Sequence, residues 1–319
     1  MNRFCGFVDF GRNYIREELL MKTTTEKVLP QNQTYIGEHA VLAYDSGIAD
    51  LKRTVSGYEF AIVGNCKLNN CDELKLSLIK YGYSFSALSE LEAVLYAYIH
   101  YGKSCVEHLE GELSFAVWDS MRQRVFVYHN ITNEKPLFYG LIDNTIVFSN
   151  DLLAVNNYPN MKFKIKKGGI CNLMLMDEDI FTNLFTLKPG QHMIINRCGF
   201  IVSPVFEPAK AGQTFSKKCY EIIDDLLLDS VKKTLDAEFN VKKLCSNSDI
   251  ISSITYKKNL PYAEELKKVL DNPSSPILAL FDKEKLFELS QSVSFSNEWL
   301  VEHILKINYL FENYNVRMI

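Results

Sequence analysis

The stretch from Ser89 to Ser149 constrains this chain more tightly than any other, because it orders one closed helix and four short strands with little chain between them. Ser89 and Glu92 read as an S-x-x-E capping box. Leu91, Val94, Leu95, Tyr98 and Ile99 recur at i, i+3, i+4, i+7 and i+8, giving a helix with one apolar face that Gly102 ends. Strands are expected at 113–118, 124–129, 137–141 and 145–149, the last two joined by a turn at Asp143-Asn144. Such an order belongs to a layered α/β (α+β) domain.

Earlier strands fit 4–10, 39–44 and 58–64. A helix follows, with Asn70 three residues before Glu73 as a second capping box, Leu74 and Leu78 as its apolar pair, and Gly82 as its stop. Residues 160–205 read as further β structure, with Lys188-Pro189-Gly190 turning the chain between 181–187 and 191–196. Pro204, Pro208 and Gly212 interrupt any regular element, which places a boundary between a domain at 1–210 and a helical region at 211–319. In the second region Cys219, Ile222, Ile223, Leu226, Leu227, Ser230 and Val231 keep a 3.6-residue period. Further helical patterns occur around 262–270, 283–291 and 298–311, and 240–260 is polar and weakly patterned.

The bulk numbers exclude some function classes. With 319 residues the chain can bury a core without disulfides. A net charge of −4 and Lys pairs spread along the sequence argue against nucleic acid as a partner. The eight cysteines show no C-x-x-C pair and no zinc spacing, so no metal site is expected. No apolar run approaches the ~20 residues that span a bilayer, and the N-terminus lacks the apolar core of a signal peptide. These features fit a cytoplasmic protein with reduced thiols and no membrane contact.

Seven segments occur in a fixed order along roughly the first 190 residues: Cys5-Gly6-Phe7-Val8, then Asn65-Cys66-Lys67-Leu68-Asn69-Asn70 before Glu73-Leu74, then Ser89-Glu90-Leu91-Glu92, Tyr101-Gly102-Lys103-Ser104-Cys105, Leu109 to Asp119, Glu134 to Tyr139 and Leu187 to Gln191. In order and spacing they resemble the C-G-I-x start, the N-G-E-I-Y-N segment, and the S-D-x-E, y-G-x-x-C, L-x-G-x-F-A-F-A-x-W-D, I-K-P-L-Y-Y and L-x-P-G-H stretches of asparagine synthetases and other class II glutamine amidotransferases. The resemblance implies a four-layer αββα N-terminal-nucleophile sandwich followed by a small helical C-terminal region. It also implies that 211–319 is a truncated remnant of the synthetase domain. No S-G-G-x-D-S sequence occurs to cradle ATP pyrophosphate, and Ser246-Asn247-Ser248-Asp249 holds no glycine, so use of ATP by this chain is not expected.

The resemblance also implies roles for single residues. Cys5 falls on the nucleophile, which in the family is the first residue of the mature chain and uses its own amine as base. Here Met1-Asn2-Arg3-Phe4 precede it, so activity requires removal of a short propeptide, as some relatives undergo. Asn65 falls on the oxyanion asparagine and Cys66 on the glycine supplying the second donor. The substrate-binding positions are altered. Lys67 stands where a glutamate binds the substrate ammonium, Val41 where an arginine clamps its carboxylate, and Glu90 where an aspartate contacts the amine. Read without the resemblance, Cys5 is a buried strand cysteine, Val41 a core residue, Lys67 a solvated charge and Glu90 a first-turn helix acid. His129-Asn130 falls where the family has R-D, and no histidine belongs to a ligand set.

Two function classes follow: a non-catalytic regulatory or partner subunit, or a Cys5-dependent amide hydrolase supplying ammonia to a separate synthetase chain after processing. No cofactor is implied for either. Helix 219–231 and the apolar residues Trp299, Leu300, Ile304, Leu305, Ile307, Tyr309, Leu310 and Phe311 lead to the further expectation of a homodimer or a complex with a synthetase-like protein through 213–319.

Overall fold

The computed structural model describes residues 3–11, 32–45, 52–85, 89–133, 135–142, 144–156, 158, 161–165, 181–205, 261–293, 298–314 and 316–318. The helical pattern expected at 219–231, the polar stretch 240–260, Asp143 and most of the 204–212 boundary lie outside the described residues.

Two antiparallel six-stranded sheets stack face to face. The first, sheet A, contains β1 (Phe4–Val8), β2 (Asn32–Ile36), β3 (Ala40–Asp45), β8 (Leu137–Ile142), β9 (Thr145–Ser149) and β11 (Leu184–Leu187), in the order β11-β8-β9-β1-β3-β2. Sheet B contains β4 (Lys52–Val55), β5 (Tyr58–Leu68), β6 (Gly111–Asp119), β7 (Arg124–His129), β12 (Gln191–Asn196) and β13 (Gly199–Pro204), in the order β13-β12-β7-β6-β5-β4. The strands expected at 124–129, 145–149 and 191–196 have those bounds, and β5 and β6 run longer than their apolar patterns.

Helices α1 (Cys71–Lys80) and α2 (Glu90–Tyr101) cover sheet B, and Leu74, Leu78, Leu91, Val94 and Leu95 join one apolar cluster with both sheets. Neither expected capping box forms. The Asn70 side chain accepts from Glu110 N (3.2 Å) and donates to His108 O (3.0 Å), tying the start of α1 to the chain entering β6. Ser89 makes no side-chain cap bond, and Glu92 meets Arg53 at 2.8 Å, with both side chains largely buried. A guanidinium in a dry site holds the carboxylate more strongly than one backbone N–H does, so the carboxylate turns toward the cation. Gly111 opens β6 at φ 137°, and a Cβ there would strike the Lys67 carbonyl across the ladder.

The outer face of sheet A is covered by α3 (Leu152–Asn156) and three helices from the far end of the chain: α4 (Tyr262–Asp271), α5 (Lys283–Gln291) and α6 (Glu298–Asn313). Leu266, Leu270, Leu286, Val301, Ile304, Leu305, Ile307 and Leu310 share one cluster with Cys5, Phe7, Val41, Ala43 and Val147 of the sheet. β14 (Val316–Met318) then pairs in parallel with β10 (Phe163–Ile165). The division near residue 210 is thus a break in the sequence pattern and not a break in the core: 261–318 supplies the fourth layer of the sandwich. Val301, Ile304, Leu305, Ile307 and Leu310 of α6 are buried in this packing and Leu300, Tyr309 and Phe311 partly so, and among the described residues of the C-terminal segment the exposed large apolar side chain is Phe287, at 54%.

Candidate functional site

Alternation along β1 decides where its cysteine points. Successive strand residues face opposite sides of a sheet. Phe4 and Val8 face inward between the sheets, and a Cβ on Gly6 would strike the ring of Phe148 there. Cys5 and Phe7 face outward into the helical layer, where Phe7 stacks on Tyr158 with centroids 5.2 Å apart. Cys5 is fully buried. Burial first, and the charge of Asp151 second, push its thiol up to about 12, so it stays protonated at neutral pH. Its backbone lies inside the ladder, paired with Ala43 on one side and Ser149 on the other.

Asn65 lies on β5 opposite Ser114 of β6, which is opposite His129 of β7, which is opposite Gln191 of β12. Directly opposed residues share a face, so these four make a polar row across sheet B. The same face of β6 carries Trp118, whose ring lies 6.3 Å from that of Phe10 just beyond β1, and the same face of β5 carries Glu59, which accepts from Tyr35 Oη at 3.1 Å. The row therefore looks inward toward sheet A. Cys66, on the opposite face, lies on the α1–α2 side, where burial, Glu90 and Cys105 raise its thiol well above the ordinary value. Lys67 is exposed, with Glu112 as its cross-strand neighbour. Val41 is fully buried opposite Phe7, on the Cys5 face of sheet A. Glu90 begins α2.

The six candidate positions are thus distributed over different faces. Cys5 and Val41 share the outer face of sheet A, Asn65 the inner face of sheet B, and Cys66 and Glu90 the α1–α2 side. Sheet A stands between the Cys5 thiol and the Asn65 carboxamide. Among the described residues no group of three or more His, Cys, Asp or Glu side chains could hold a metal ion, and no helix is long and apolar enough to cross a membrane.

Ser114 and His129 did not stand out in the sequence as a pair. Ser114 Oγ and His129 Nδ1 share a 2.8 Å hydrogen bond, both side chains are buried, and His129 Nε2 has no partner. Burial pulls the imidazole down from its ordinary 6.5 to about 4. A base this weak beside a buried hydroxyl does not make an activated nucleophile. It does make the fold acid-sensitive. Because the folded value lies below the unfolded one, the unfolded chain takes up the proton first. The stabilisation is complete above pH 6.5 and is lost as pH falls toward 4. At about 1.4 kcal/mol per unit the loss comes to about 3 kcal/mol. Urea unfolding of the wild type is expected to weaken over this window, and His129→Gln is expected to flatten that slope.

Comparisons with known proteins agree with this geometry at the level of fold and family. The model of the glutamine amidotransferase domain matches residues 46–205, half of the chain. A glutamine-hydrolysing asparagine synthetase of Bacillus subtilis (number 3) is 26% identical over 212 residues, covering 61% of this chain and 34% of that protein. An amidase of Gibberella zeae, chry2, is 26% identical over 122 residues, covering 35% of this chain and 17% of the amidase. The chain thus spans about a third or less of the length of these relatives. Among solved structures, the glutamine phosphoribosylpyrophosphate amidotransferase of B. subtilis superposes with a TM-score of 0.50 at 13% identity, over 65% of this chain and 50% of that one. The fold is the αββα N-terminal-nucleophile sandwich.

Proposed function

We propose that this chain, which belongs to the glutamine amidotransferase domain family, keeps the family's sandwich as a scaffold and serves as a non-hydrolysing regulatory or partner subunit beside a synthetase-like chain. The observation that carries this reading is the direction of Cys5. Amide attack needs the nucleophile within ~3–3.5 Å of the carbonyl carbon, with oxyanion donors around the same atom. Cys5 points into an apolar helical layer, and Asn65 points into the space on the other side of sheet A. The thiol is protonated, and with Phe4 in place the Cys5 nitrogen is a peptide amide, which cannot serve as a base. The altered residues at 41 and 67 support the same reading, since neither an apolar side chain nor a cation replaces a carboxylate clamp or an ammonium partner. The lack of an S-G-G-x-D-S loop supports the view that ATP is not used. Association would use the C-terminal segment, where among the described residues Phe287 of α5 is an exposed apolar group.

Ammonia release from glutamine by the purified full chain tests this. Release is expected at the uncatalysed background, unchanged in Cys5→Ala. Release that depends on Cys5 would overturn the reading in favour of an ammonia-supplying hydrolase.

A further inference from the structure

An open cleft of about 540 Å³ lies at the end of the sandwich away from Phe4, where β1 leaves sheet A beside the β8–β9 hairpin and the β12–β13 hairpin tip. This is the size range of small-ligand sites. Its walls are mixed: Val8, Phe10, Ile146 and Phe200 are among the apolar groups, and Asn144, Asn196 and Arg197 among the polar ones.

The polar groups fall into two kinds. Some are committed to building the cleft. Asp9 is buried, accepting from Gly11 N (2.8 Å) and Thr145 Oγ1 (3.2 Å), which pins the chain as it leaves β1. Asn196 Oδ1 accepts from Cys198 N (2.8 Å), which fixes the hairpin tip. The others are unspent. Among the described residues the Asn144 carboxamide makes no hydrogen bond, and the side-chain partner of Arg197 is His39 alone, its Nη2 standing 3.3 Å from His39 Nε2.

That partner matters. His39 is buried, so its ring is held in place, tilted at 40° against the ring of Phe10 with centroids 5.1 Å apart. The contact is a hydrogen bond in the tautomer that carries the ring proton on Nδ1. Glu38 Oε1 approaches the same Nε2 at 3.5 Å, but its side chain is 64% exposed and water screens it. A ring nitrogen orients the guanidinium and, unlike a carboxylate, brings no negative charge to cancel its own. Four of the five guanidinium N–H donors remain for a ligand.

We propose that this cleft binds a small organic carboxylate with an apolar body. The anionic head meets Arg197 and Asn144, and the body lies against Phe10, Ile146 and Phe200. The proposal uses no part of the Cys5 argument, so it stands or falls separately from the reading above. Calorimetric titration of the full chain with phenylacetate tests it, with 2-phenylacetamide and inorganic phosphate as the other arms. Saturable 1:1 binding of phenylacetate is expected, with the uncharged amide at least about tenfold weaker and no saturable binding of phosphate. Arg197→Gln, an exposed position, is expected to cost phenylacetate at least about tenfold in affinity while leaving the unfolding midpoint of the free protein unchanged. Phe200→Ser is expected to weaken phenylacetate several-fold. Absence of saturable phenylacetate binding, equal affinity for acid and amide, phosphate binding as well as phenylacetate, or wild-type affinity in either variant would each overturn it.

Discussion

A chain trimmed to begin at Cys5 is expected to be less stable than the full chain by at least about 3–5 kcal/mol, the usual cost of deleting a buried phenylalanine side chain alone. Phe4 is fully buried between the sheets. Its nitrogen donates to Asn150 Oδ1 (2.8 Å), and its carbonyl accepts from Ser149 Oγ (2.7 Å) and Asn150 N (3.3 Å). Arg3 adds a carbonyl that accepts from Asp45 N (2.8 Å) and a guanidinium beside Asp45 (3.1 Å) and Asp151 (3.6 Å). A removable propeptide should be loosely held, and this segment is built into the ladder and the core. Urea unfolding of the trimmed and full chains measures the difference, and Phe4→Ala separates the side-chain share from the backbone share. A trimmed chain as stable as the full one, and releasing ammonia from glutamine, would restore Cys5 as a nucleophile.

The same strand shows what the sequence alone could and could not disclose. Alternation makes it plain that Phe4 and Cys5 face opposite ways. Which way is inward depends on where sheet B lies, and that is decided by chain entering β5 some fifty residues later. The strands at 124–129, 145–149 and 191–196 were legible because each half-buried or fully buried run is bounded by turn residues. The capping boxes misled because the competing partners are distant in sequence: Arg53, which draws Glu92 away, by 39 residues, and Glu110, which donates to Asn70, by 40. Likewise nothing within β7 marks His129 as hydrogen-bonded to Ser114. Only the β6–β7 register places the two side by side. The cleft needed three separated segments, and no local pattern joins Phe10, Asn144 and Arg197.

The C-terminal helices give the largest such case, and they set up the other large effect. Replacing Ile307 by Asp is expected to remove more than about 4 kcal/mol, a large part of the total stability of an ordinary domain. Ile307 is fully buried in α6, within the cluster that holds Cys5, Phe7 and Val41 of sheet A. The substitution deletes apolar packing and places a carboxylate among buried apolar side chains, so either the charge or its neutralisation destabilises the layer. An independent C-terminal unit would confine the damage to itself: unfolding would split into two transitions, and Cys5 would stay shielded. A shared core predicts one weakened transition and a jump in alkylation of Cys5 by iodoacetamide, followed by peptide mass spectrometry under native conditions. Phe287→Asp, on the exposed side of α5, serves as the control and is expected to change stability by no more than about 0.5 kcal/mol. Full protection of Cys5 in a folded Ile307→Asp protein would mean that sheet A does not depend on the C-terminal helices for its cover, and the four-layer assignment of residues 261–318 would have to be withdrawn.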